Sequence, residues 1–344
     1  MSSILGIFLH AVGGFAAGSF YIPFKRVRDW AWESAWLVNG VAAWILVPLV
    51  VALLTVPGTF EVLKEALAAE RSAAGYTFLF GLLWGVGGLT FGLSLRYLGV
   101  ALGTTVALGC CAAFGTLVPP IIEGTLAEKF ASTSGLVVLA GLLICFAGIA
   151  VGGYAGLLRE RGATADKQDG EEERDTRKGV LVAVVSGLLS ACFAFGLASG
   201  APIAELAVAR QTAPLFQSSP VLVILLWGGF LTNVVYCLYR NGVNKTFGDY
   251  GNSSTPLVSN YLWAGLAGMT WYFQFMFYGM GSTFLGPAYD FASWSIHMAF
   301  IIFFGNAWGL YFDEWAGVSR GTKRVLYTSL ALLLVSVILI GAGS

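Results

Sequence analysis

Charge is what this sequence has least of. Only 11% of its residues are Asp, Glu, Lys or Arg, against about 25% in an ordinary soluble domain. The few charges sum to a formal net of zero, so no basic field is present to hold a nucleic acid. Histidine is nearly missing, with only His10 and His297 in 344 residues. The five cysteines, Cys110, Cys111, Cys145, Cys192 and Cys237, show no metal-type spacing and read as small apolar fillers. A metal centre is therefore not expected, and neither is any other cofactor. No G-x-x-x-x-G-K-[ST] stretch is present to cradle a phosphate, which argues against an ATP-driven pump and leaves an ion gradient as the driver. Strict apolar/polar alternation is missing too, which excludes a β-barrel reading. No basic segment precedes the first apolar run; the first cluster, Lys25, Arg26 and Arg28, follows it, so that run reads as a retained helix.

What the chain has in quantity is apolar sequence, 57% of its residues. Runs of about 20 residues recur along it, each matching the hydrocarbon thickness a helix must cross. They predict an all-α membrane protein of ten spans, at roughly 4–24, 34–55, 76–98, 100–122, 132–156, 179–201, 218–239, 257–281, 287–311 and 323–342. Of the 19 Lys and Arg, 15 fall in odd-numbered connections, which the positive-inside rule assigns to the cytoplasm, with both termini outside. The polar stretch Arg159 to Gly179 is mixed in sign and reads as a solvated linker. It divides the chain into two five-helix repeats, 1–157 and 179–344, joined by a linker at 158–178. Five crossings per half require the halves to be inverted. Faint internal matches agree: at an offset of 187, Trp84, Gly92 and Leu98 fall on Trp271, Gly279 and Leu285. Inverted-repeat carriers hold their substrate near the midplane.

Polar residues inside spans are costly and so informative; a central Asp costs about 2.5–3.5 kcal/mol on insertion scales. In the run "PAYDFASWSIHMAF" (287–300), Asp290, Trp294 and His297 stand at i, i+4 and i+7 and would share one helical face. The run "WYFQFMFYGMG" places Trp271, Gln274 and Tyr278 on another face. An amide flanked by aromatics suits a sugar ring, since Gln both donates and accepts while Trp and Tyr cover the apolar face. The first span adds His10 and, at its exit, Tyr21. Lys25 and Arg26 read as interfacial anchors, Trp30 and Trp32 as belt residues, and Glu33 as a helix-start acid. Glu123, after Pro119 and Pro120, is expected at the interface. Gly85, Gly88 and Gly92 would allow close helix approach.

The stretches "FYIPFKRVRDWAWES", "LWGVGGLTFGLSLRYLG", "MTWYFQFMFYGMG" and "AYDFASWSIHMAF" together resemble the bacterial L-rhamnose-proton symporter family, a branch of the drug/metabolite transporter superfamily. The likeness runs from Gly6 to about Gly341. It implies import of a monosaccharide, L-rhamnose or a related 6-deoxyhexose, with a proton across the bacterial inner membrane, and two inverted five-helix repeats around a central cavity. In the third span the chain departs from the family pattern, with Gly88, Thr90 and Phe91 where two Asn and a Tyr are expected. Asp290 and His297 become the expected proton-coupling residues. Gln274, Trp271, Tyr278, Trp294, Tyr289, His10, Tyr21 and Trp84 are the expected sugar-binding set. Beyond sugar, proton and lipid bilayer no obligatory protein partner is expected. An enzyme would need a catalytic constellation that is not visible. A drug or metabolite exporter on the same scaffold and a sodium-coupled sugar symporter are the alternatives.

Overall fold

A computed structural model describes residues 2–164, 176–285 and 290–344. Among them there is no strand; fifteen α-helices carry the fold. In chain order they are α1 (Ser2–Ser19), α2 (Tyr21–Phe24), α3 (Trp32–Gly40), α4 (Val47–Thr55), α5 (Thr59–Ala68), α6 (Arg71–Leu98), α7 (Val100–Ile122) and α8 (Leu126–Lys129). The remainder are α9 (Thr133–Thr164), α10 (Thr176–Ser199), α11 (Ala201–Ala209), α12 (Ser219–Asn244), α13 (Leu257–Ser282), α14 (Ser293–Tyr311) and α15 (Arg320–Gly343). Eight helical stretches among the described residues are long and apolar enough to cross a membrane. The regions expected as the eighth and ninth spans are helical, as α13 and α14, but are not among those eight.

The chain forms two compact units. One comprises the described residues of Met1–Gly14, Gly87–Ala191 and Gly281–Ser344. Here α9 and α15 lie side by side, and the Ser329 hydroxyl donates to the Gly148 carbonyl at 2.8 Å. The turn between α6 and α7 is a single residue, Gly99, whose φ of 80° is costly for any side chain. Glu160 Oε1 accepts from the Ala101 N–H at 2.6 Å, satisfying a free donor at the start of α7 with a negative charge. Glu123 caps the C-terminal end of α7 and is exposed.

The second unit comprises Phe15–Val86 and Cys192–Met280. Its apolar core joins Val56, Val62 and Ala66 to Ile203, Ala207, Val221 and Val223. The short helix α5 contributes Val62 and Ala66 from the segment between the expected second and third spans; its charged outer face, Glu61, Lys64 and Glu65, breaks the apolar run that marks a span. Between α3 and α4 the chain widens into a π-helical turn at Val41–Leu46, with the Val47 N–H reaching back to the Ala42 carbonyl. Pro48 follows at once. It has no N–H to return to the Trp44 carbonyl and its ring would crowd that oxygen, so the ordinary pitch cannot continue. Glu33 sits in the first turn of α3 and accepts from Asn244 Nδ2 at 2.7 Å and Thr246 Oγ1 at 3.0 Å. Beside it, Asn241 Nδ2 donates to Ser34 at 2.9 Å, and the Tyr250 hydroxyl donates to Asn241 Oδ1 at 2.8 Å. Burial pushes Tyr250 up to about 12, so it remains a donor at any physiological pH. Gly85 lies against Gly229 and Thr232 as a close-approach glycine should, whereas Gly88 and Gly92 have nothing within 4 Å.

Candidate functional site

The second unit contains a continuous aromatic wall. The Trp36 ring meets Trp44 and Trp271, each with centroids 5.9 Å apart. Trp44 meets Trp84 at 5.9 Å, and Trp84 meets Phe275 at 5.4 Å. Phe275 stacks on Phe193 at 4.4 Å, which reaches Tyr278; Phe20 closes the other end, 4.0 Å from Trp271. The local sequence explains the convergence. Gly268 lets α13 approach α3 so closely that an added Cβ would collide with the Asn39 carbonyl oxygen. Trp271 and Phe275 lie one and two turns further along that helix, on the same side.

Several polar side-chain atoms of this unit are buried and idle. Trp44 Nε1, Trp271 Nε1, Gln274 Nε2, the Tyr272 hydroxyl and both polar atoms of the Asn39 side chain are shielded from solvent, and none makes a hydrogen bond among the described residues. Proteins seldom leave such groups unsatisfied without a reason, because each costs about 1–3 kcal/mol. Trp36, by contrast, spends its N–H on Asn233 Oδ1 at 3.1 Å. Aromatic faces interleaved with spare donors and an amide are matched to a ligand that is apolar on its faces and hydroxylated at its edge.

The first unit holds the two histidines together. His10 on α1 and His297 on α14 are both buried, with ring centroids 5.9 Å apart and planes at 60°. Three contacts fix α14 there. Trp294 Nε1 donates to the Cys111 carbonyl at 3.0 Å and its ring lies against Gly115; the Ser295 and Thr116 hydroxyls are 2.8 Å apart; Cys145 Sγ donates to the Ser295 carbonyl at 3.7 Å. From α1, Gly14 packs on Phe300, one turn beyond His10, while Gly281 lies against His10 itself. Paired imidazoles can pass a proton near neutral pH, which no other ordinary side chain does unaided.

The expected site residues thus fall into two groups. Trp271, Tyr278 and Trp84 belong to the aromatic wall, Gln274 lies between Trp271 and Tyr278 on α13, and Tyr21 adjoins the wall through Phe20, at 5.3 Å. His10, expected with the sugar-binding residues, stands beside His297 in the other unit, and Trp294 is 6.4 Å from His297. Asp290 lies in a 3-10 turn, Asp290–Ala292, directly ahead of α14, and so outside the α-helix that carries Trp294 and His297. Tyr289 and the side chain of Asp290 lie outside the described residues. Sequence reasoning passed over Trp36, Asn39 and Trp44. The signal was present in "WLVNGVAAW", two indoles and an amide in one apolar run.

Among the described residues, an all-helical fold with eight stretches long and apolar enough to cross a bilayer marks a multi-pass membrane protein. Its kind follows from comparison with known sequences: the chain belongs to the L-rhamnose-proton symport protein (RhaT) family, whose profile matches residues 1–344. A protein from Mannheimia succiniciproducens named L-rhamnose-proton symporter is 35% identical over 347 aligned residues, covering 99% of this chain and 98% of that one. Proteins of the same name from Citrobacter koseri and Yersinia pestis are each 33% identical, over 98% and 99% of this chain and 97% and 98% of theirs.

Proposed function

We propose that this protein imports L-rhamnose together with a proton across the bacterial inner membrane, by alternating access. The observation that carries the reading is full-length membership of the symporter family in a chain whose aromatic wall presents spare buried hydrogen-bonding groups. Trp271, Gln274, Tyr278 and Trp84, with Tyr21 at the margin, bind the sugar. Asp290 and His297 carry the proton, with His10 as the partner of His297. Ten helices cross the membrane as two inverted repeats, 1–157 and 179–344, linked by 158–178, with both termini in the periplasm. In support, each compact unit draws on both halves of the chain, and Trp84 and Trp271, equivalent by the internal offset, both belong to the aromatic wall.

The energetics are sufficient. A proton crossing about 100 mV releases roughly 2.3 kcal/mol, and one pH unit adds about 1.4 kcal/mol. Together, about 3.7 kcal/mol supports roughly 500-fold accumulation at one proton per sugar. Coupling requires that the sugar-loaded carrier reorient only when its ionisable group is neutralised, since occluding a bare carboxylate is costly.

The test is the pH of a weakly buffered suspension of energised cells on addition of L-rhamnose. External alkalinisation, lost in Asp290→Asn with rhamnose binding retained, is expected. Alkalinisation that survives in Asp290→Asn moves the proton site elsewhere. A response that follows sodium when potassium replaces it at fixed pH overturns proton coupling, and no rhamnose uptake by the intact protein overturns the function.

A further inference from the structure

Asn39 is the buried amide that the reading above leaves without work. It lies near the end of α3, fully enclosed, with neither Oδ1 nor Nδ2 hydrogen-bonded among the described residues. Trp36 precedes it by one turn and therefore shares its helical face; the Trp36 ring touches both Trp44 and Trp271. Its backbone carbonyl is the point against which Gly268 of α13 packs. One turn beyond Gly268, on the same side of α13, stands Tyr272, also fully buried, its hydroxyl unbonded among the described residues. A structural amide in this position would be expected to cap a backbone group or pair with a neighbour, as Asn241 and Asn260 do in the same unit.

We propose that Asn39 is a specificity-determining residue of the sugar site, reading two adjacent hydroxyls of the substrate through its carboxamide. The oxygen accepts from one hydroxyl and the NH2 donates to the next, the two-point match that a planar amide makes to a vicinal diol. Trp44 Nε1 and the Tyr272 hydroxyl, also buried and unbonded among the described residues, are further donors in the same unit. The π-helical turn that follows Asn39 gives a reason for the placement. By widening the helix it alters the register between Asn39 and Trp44, and such turns recur at functional sites. This inference rests on the sugar-binding reading and adds to it the residue that discriminates among sugars.

The experiment is calorimetric titration of the detergent-solubilised full chain with L-rhamnose and with its monodeoxy analogues, for the native protein, Asn39→Leu and Asn39→Ala. Asn39→Leu is expected to weaken L-rhamnose binding roughly tenfold, one to two hydrogen bonds' worth. For the analogue that lacks a hydroxyl read by Asn39, the same substitution is expected to cost less than about threefold, because the contact is already gone. Equal loss for every analogue overturns the proposal, and so does native affinity in both variants. If neither variant folds, Asn39 is a structural residue and the proposal falls. Failure of the native protein to bind L-rhamnose at all overturns the sugar-binding reading instead, and this inference with it.

Discussion

Replacing Gln274 by Met separates a binding residue from a structural one by the sign of two measurements. The side chains are close in length and volume, so packing against α13's neighbours changes little. In the free protein Gln274 is buried and its Nε2 makes no hydrogen bond among the described residues. An unsatisfied donor of this kind costs about 1–3 kcal/mol, and Met removes it. Thermal unfolding of Gln274→Met in detergent is therefore expected at the native midpoint or above it. Sugar binding should move the other way. Losing one or two hydrogen bonds of about 1 kcal/mol each raises the Kd for L-rhamnose by roughly 5- to 30-fold. Calorimetry measures the second quantity and a thermal melt the first, on the same sample. A lowered midpoint with unchanged affinity would refute the reasoning, since Gln274 would then hold the helices together and not the sugar.

Three further outcomes are expected. His297→Asn should abolish rhamnose-induced alkalinisation while rhamnose binding in detergent stays within about threefold of native, because His297 is assigned to the proton and not to the sugar; a flow assay on vesicles beside a binding titration checks it. Gly268→Leu should cost at least about 1–3 kcal/mol, because the new side chain meets the fixed Asn39 carbonyl and not a side chain that can turn away; a lower melting midpoint and reduced yield are the readouts. Glu33→Ala should leave Asn244 and Thr246 without their acceptor, costing about 1–3 kcal/mol and exposing the segment around Lys245, whose φ of 59° depends on its surroundings, to limited proteolysis.

The helices were largely legible because the membrane imposes one rule on all of them. Apolar length alone placed α7 at 100–122 and α13 within a residue of its end. What failed was wherever another force competes. The amphipathic α5 carries charges that conceal its buried face, and the π-helical turn arises from Pro48 acting on a residue four positions back. At the candidate site, Trp271 and Gln274 were visible as one face of one helix. Trp36, Asn39 and Trp44 were not, because an indole inside an apolar run looks like any other hydrophobe until a second helix is brought against it. His10 was noticed for its chemistry and grouped with the sugar-binding residues; its pairing with His297, nearly the whole chain away, is what no local pattern could show. The hairpin at Gly99 could be read as tight, but its cap by Glu160 spans about 60 positions that no local pattern connects.

Five indoles, Trp32, Trp36, Trp44, Trp84 and Trp271, stand in a chain of ring contacts no longer than 5.9 Å. Chromophores at that separation do not absorb independently: their transition dipoles mix, and excitation deposited on one is shared by the others. The protein thus carries a built-in optical antenna, whose far-ultraviolet circular dichroism should show a paired positive and negative band from the indoles and whose emission should be strongly depolarised. Any molecule that settles against a single ring would retune the whole set, so occupancy could be followed in unlabelled protein from the shape of that couplet.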